Sequence, residues 1–97
     1  MTSMKNPIEE AIIMKIRKLR LERNISQMAL SDILNVSDGQ IGNIESSRFQ
    51  HKYTLKQIYT FCTFINYPFE KVFLSDEELA SKNSIALLIK KIIQYEE

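Results

Sequence analysis

Four residues near the middle of the chain carry the groups best suited to holding another molecule by hydrogen bonds: Asp38, Gly39, Gln40 and Asn43. Gln and Asn each present a donor beside an acceptor, the pattern that clasps an adenine edge through two hydrogen bonds. Asp accepts from cytosine N4. That chemistry needs the four on one outward helical face. Ile41 and Ile44, three residues apart, supply an inward stripe, which leaves positions 38, 39, 40 and 43 outward at the helix's N-terminal end. Gly39 and Gly42 each cost about 1 kcal/mol relative to Ala in a helix interior. Two accounts of them stand: close approach of the backbone to a ligand, or a poor helix former tolerated by packing.

The elements that must position these groups are legible around them. Ser26 is a helix N-cap, Leu30 and Leu34 sit one turn apart, and Asn35 occupies a place where the chain turns left-handed. Val36 plugs the elbow and Ser37 caps a new helix. The predicted helices cover roughly 27–34 and 38–46, an arrangement that lays one helix across a DNA backbone and the next in the major groove. Asn6, with Pro7 behind it and Glu9 and Glu10 in the first turn, starts a helix ending near Asn24. Thr54 caps a fourth helix, with Leu55, Ile58, Phe61, Cys62 and Ile65 inward, and Asn66-Tyr67-Pro68 stops it. A short fifth helix is expected over 69–73. Ser75 and Glu78 form a capping box for a further segment, which Asn83-Ser84 breaks. The aromatics Phe61, Phe64, Tyr67, Phe69 and Phe73 read as core.

Taken in order, Ile16-Arg17-Lys18-Leu19-Arg20, Ser26-Gln27-Met28-Ala29-Leu30, Leu34-Asn35-Val36-Ser37 and Ile41-Gly42-Asn43-Ile44-Glu45, followed by a Leu-x-x-Ile helix from Leu55, resemble the phage-repressor (Cro-like, XRE) helix-turn-helix family. The resemblance spans residues 16–67. Ser31 stands where the family prefers Ala, Asn35 where it prefers Gly, and Ser46-Ser47 where it prefers Asn-Gly. It implies a lambda-repressor-like all-α domain of about five helices over residues 6–74, plus a C-terminal helical extension over 75–97. It also implies a sequence-specific transcriptional regulator, more readily a repressor, acting as a homodimer on a palindromic operator of double-stranded DNA. Gln27 matches a family residue whose amide touches a phosphate, at a helix N-terminus that itself favours anions. Ser37, Ser46, Arg48 and Lys52 flank the recognition helix and are expected in the same backbone-contacting role. Arg20 and Glu45 match a pair that bridges helix 1 to the end of helix 3. Expected as partly exposed, such a pair contributes up to about 1 kcal/mol.

The 97 residues fit one domain, with only two Gly and two Pro for the tight turns of an all-β fold. The net charge of +1 divides unevenly: residues 15–56 hold eight basic against four acidic side chains, and residues 57–97 hold four against six. The basic excess lies on the half expected to meet phosphates. A single cysteine, Cys62, makes no internal disulfide and reads as a buried thiol in a reducing cytoplasm. It has no activating partner, and His51 has no companion at ligand spacing, so neither nucleophilic catalysis nor a metal is expected. With no glycine-rich phosphate loop and no Ser/His/Asp set, the chain reads as a non-enzyme without cofactor. No apolar run approaches membrane-spanning length, and the first residues lack the apolar core of a leader.

Beyond residue 74, Ile85, Leu88, Ile89, Ile92 and Ile93 make a stripe wider than one small core covers. Ile85, Leu88, Ile89 and Ile92 are expected as the dimer interface, so that removing residues 84–97 would leave folded monomers. Folding of part of the stripe onto helix 1 is the other course open to it. A different class of function is an antitoxin-like interaction protein that grips a partner protein through this helix and autoregulates its operon.

Overall fold

The computed structural model describes residues 3–97 and is all-helical, with seven helices and no strand among the described residues. They are α1 (Pro7–Glu22), α2 (Gln27–Leu34), α3 (Gln40–Glu45), α4 (Leu55–Phe64), α5 (Glu70–Phe73), α6 (Asp76–Ala80) and α7 (Ser84–Glu96). Side-chain caps explain most of the starts. Asn6 with Glu9, Thr54 with Gln57 and Ser75 with Glu78 form reciprocal capping boxes, and Ser26 alone accepts from the Ala29 backbone. Asparagines explain three of the ends. Asn24, Asn35 and Asn66 adopt φ of 55°, 56° and 54°, the left-handed region that Asn enters more readily than other non-glycine residues.

The start of α3 departs from expectation. The helix begins at Gln40, not 38, because Gly39 stands at its N-cap with φ of 88°. Ser37 does not cap it with its side chain; its carbonyl accepts from the Gln40 backbone at 3.2 Å, closing a turn instead. Gly39 therefore answers a backbone demand, whereas Gly42 lies within the helix. A Cβ built on Gly42 would meet only Gln27 Oε1, at 3.4 Å. The two glycines should separate in a thermal melt. Gly39→Ala is expected to lose about 1–2 kcal/mol through its positive φ, while Gly42→Ala should hold or gain up to about 1 kcal/mol of stability.

One core unites the chain. Ile12, Ile13, Ile16 and Leu19 of α1 meet Leu30, Ile41, Ile44, Ile58, Phe61, Cys62, Val72 and Phe73, and Tyr95 of α7 lies in the same cluster. Burial pushes the Cys62 thiol up to about 11, with Glu70 adding to it. The helices sort into α2 against α3 and α4, and α1 against α3, α5 and α7. The expected aromatic core divides: Phe61 and Phe73 are buried, but Phe64 is 62% exposed beside an equally open Tyr59.

The expected boundary at 74/75 does not separate two cores, because α7 packs on α1, α5 and α6. Its aliphatic stripe is two faces. Leu88 and Ile92, expected at a dimer interface, turn inward with Leu87 and Tyr95, while Ile85, Ile89 and Ile93 stay outward. No helix is long and apolar enough to cross a membrane among the described residues.

Candidate nucleic-acid interface

Packing determines which side of α3 is free. Ile41 and Ile44 are each 1% exposed, clamped between α1 and α2. Asp38, Gly39 and Asn43 are left exposed and Gln40 half-buried. Asp38 and Gly39 belong to the turn that enters α3 rather than to the helix itself. The face thus presents a carboxylate, a carboxamide on each of two helical positions, and an open stretch of backbone at Gly39.

Behind that face Glu45 is the hub. Arg20 Nε and Nη2 donate to its two carboxylate oxygens at 2.9 Å each, a bidentate fork, and Arg20 Nη1 donates to the Ile25 carbonyl at 2.7 Å. Both side chains are buried, so the expectation of a partly exposed pair is corrected. The bridge itself joins α1 to the end of α3 and also pins the start of the segment leading into α2. Gln27 Nε2 adds a third donor to Glu45 at 3.0 Å. One of its two amide N–H groups is therefore engaged within the protein, its carbonyl oxygen lies toward Gly42, and the residue stays exposed.

Tyr53 lies close enough to sense this hub. Burial raises its phenol far above the ordinary value, with Glu45 adding and Arg20 opposing. Its hydroxyl has no hydrogen-bond partner among the described residues.

The other expected phosphate-contacting residues scatter. Ser37 and Arg48 are exposed, and Ser46 is half-buried with its hydroxyl accepting from the Arg48 backbone at 3.2 Å. Lys52 has partners within the protein: its ammonium donates to Glu9 Oε2 at 2.7 Å and to the Tyr95 carbonyl, and lies 4.9 Å from the Tyr95 ring. Its side chain stays 24% exposed, so the ammonium is held by Glu9 and the Tyr95 carbonyl at a partly open site. Burial works to raise the Glu9 carboxyl, but the Lys52 and Asn6 hydrogen bonds and the charges of Lys52 and Lys5 hold it below the ordinary value.

Two basic residues went unassigned from sequence. Arg17 Nε stands 3.6 Å from Glu45 Oε1 with its side chain 46% exposed, so a cation rises beside Gln27 and Gly42. Its spacing of three from Arg20 places both on one side of α1, a signal the sequence did contain. Lys5 is 7% exposed and donates to the backbone carbonyls of Ser46 and Phe49, while the Met4 backbone donates to the Ser47 carbonyl at 2.9 Å. Burial lowers the Lys5 ammonium despite Glu10 and Glu9. The loop after α3 is thereby held by Lys5 from near the start of the chain and, through its own Lys52, to Glu9 of α1 and Tyr95 of α7.

No family model, no curated protein and no solved structure matches the chain, so its function is argued from its own residues.

Proposed function

We propose that this protein is a sequence-specific DNA-binding regulator of the helix-turn-helix kind, with α3 as the reading helix and α2 crossing the phosphate backbone. The observation that carries this is the α2–α3 unit itself. A short helix whose apolar side, Ile41 and Ile44, is buried leaves Asn43 exposed and Gln40 half-buried, with Asp38 exposed in the turn before it, and a buried fork between Arg20 and Glu45 fixes its angle. Side chains of these types are suited to base edges in a major groove. Arg17 and Arg48, exposed near the two ends of this unit, suit phosphates, and Arg17 joins the set. Regulation by occupying a palindromic operator as a homodimer, in the cytoplasm, is the mode in which such a domain acts; repression is the simpler outcome, since bound protein blocks polymerase.

Selection of sites from random duplex DNA, followed by footprinting, tests the proposal. The expected result is a recovered motif, protected in the footprint, with affinity falling steeply as salt rises. Gln40→Ala and Asn43→Ala should each weaken binding to that motif by about 1–3 kcal/mol while the far-UV circular dichroism spectrum stays unchanged. A chain that enriches no sequence, or a double variant that keeps the same motif at full affinity, refutes α3 as the reader.

A further inference from the structure

A groove runs along α1 on the side away from α3. Ile8, Ala11, Ile12 and Lys15 recur at three- and four-residue spacing and share one side of the helix, whereas Arg17 and Arg20, which meet Glu45 of α3, leave it on the other. Val72 and Phe73 of α5, with Leu74 after it, supply the facing apolar wall, and the groove holds about 400 Å³. Its rim is cationic. Lys15, Lys71 and Lys91 all line it and all are half-buried. Lys91 donates to Glu78 at 3.1 Å, and Glu78 is the one carboxylate lining the groove among the described residues. Lys15 and Lys71 enter no ion pair among the described residues. Two ammonium groups thus give up part of their hydration beside an apolar trough without a counter-charge, an arrangement that an incoming anion completes.

We infer that this groove binds a free medium-chain carboxylate, its alkyl tail laid along Ile8, Ile12 and Leu74 and its carboxylate held by Lys15 and Lys71. The dimensions favour a small amphiphile over a protein partner. From Pro7 to Lys15 the helix rises about 12 Å, the reach of such a tail. The volume falls within the range of roughly 300–1,000 Å³ that small-molecule sites occupy, whereas a stable protein interface takes a face of roughly 800 Å² from each partner. The cations choose the head group, since a tail ending in an ammonium would bring like charge to Lys15 and Lys71. The other apolar groove, between Ile33 of α2 and Tyr59 and Phe64 of α4, is lined by no charged residue and makes no such choice. The site stands on the groove alone, independent of DNA binding.

The test is titration of the full chain, without DNA, with monomeric decanoate at neutral pH, followed by amide NMR shifts and the thermal melt. Shifts are expected at Ile8, Ala11, Val72 and Leu74 and not along α3, with Tm raised by about 5–10 °C at ten times the dissociation constant. Lys15→Gln combined with Lys71→Gln should weaken decanoate about tenfold. Ala11→Trp, a change at an exposed position that fills the groove, should abolish binding while the melt of the free protein holds. Acetate, the head without the tail, and decyltrimethylammonium, the tail with the opposite head, should leave the melt where it is. A chain that ignores decanoate overturns the site, as does equal binding of the decyl cation or an affinity indifferent to the double lysine variant. Shifts confined to Tyr59 and Phe64, or to the outer row of α7, overturn it too. So does a chain that binds phosphatidylglycerol vesicles but not monomeric decanoate.

Discussion

Replacing Glu45 with alanine is expected to destabilise the protein by about 3–5 kcal/mol, the cost of leaving a buried charge without its partner. Arg20 would keep only the Ile25 carbonyl, and Gln27 would lose its acceptor. A domain of this size has only about 5–15 kcal/mol in all, and each kcal/mol moves Tm by roughly 4–8 °C, so the melt should fall by more than about 12 °C. Arg20→Ala should be milder, because the Glu45 carboxylate would still have Gln27 at 3.0 Å and Arg17 at 3.6 Å. Urea or thermal unfolding of both variants measures this. A loss within about 1 kcal/mol for Glu45→Ala would mean a solvated pair, which the burial of both side chains contradicts.

Deleting residues 84–97 should unfold the domain rather than release folded monomers. Tyr95 has no exposed surface; its hydroxyl donates to the Tyr53 carbonyl at 2.7 Å and its ring meets Phe73 edge-on at 5.9 Å. Its phenol is held above the ordinary value by burial. Tyr95→Ala alone should cost about 3–5 kcal/mol, as for other large aromatic side chains removed from a core. Tyr95→Phe, which leaves the Tyr53 carbonyl unsatisfied, should cost about 1–3 kcal/mol. Circular dichroism melts distinguish these outcomes. A truncated chain that still melts cooperatively within a few degrees of the intact one would show that α7 is dispensable to the core.

What the sequence disclosed and what it withheld follow from the range of the interactions involved. Caps act within three or four residues, so Asn6, Ser26, Thr54 and Ser75 announce their helices and the structure begins those helices at the next residue. Gly39 looks like a helical residue by spacing, and only its positive φ moves the start of α3 to Gln40. The apolar positions of α7 were visible, yet the division into inward and outward rows depends on which side α1 and α5 occupy. Tyr95 gave no sign of being a core residue, standing just before two glutamates. Lys52 was expected at a phosphate and Lys5 had no assigned role, because the groups that hold them lie more than forty positions away. Of the candidate site, the outward set on α3 was apparent from the Ile41–Ile44 stripe, while the engagement of Gln27 and Lys52 within the protein was not.

The two lysine stitches also impose an order in time. Lys5 reaches 41 positions forward to Ser46, and Lys52 reaches 43 forward to the Tyr95 carbonyl and 43 back to Glu9. Contacts of such sequence separation form only after loop-closure entropy has been overcome, whereas α1, α2 and α4 can begin from local bonds. The segment 46–52 is therefore expected to settle after the helices on either side of it, so that Lys5→Ala or Lys52→Ala should speed unfolding more than it slows folding in stopped-flow kinetics. The loop that follows α3 is thus expected to take shape after the helices that the two lysines tie together.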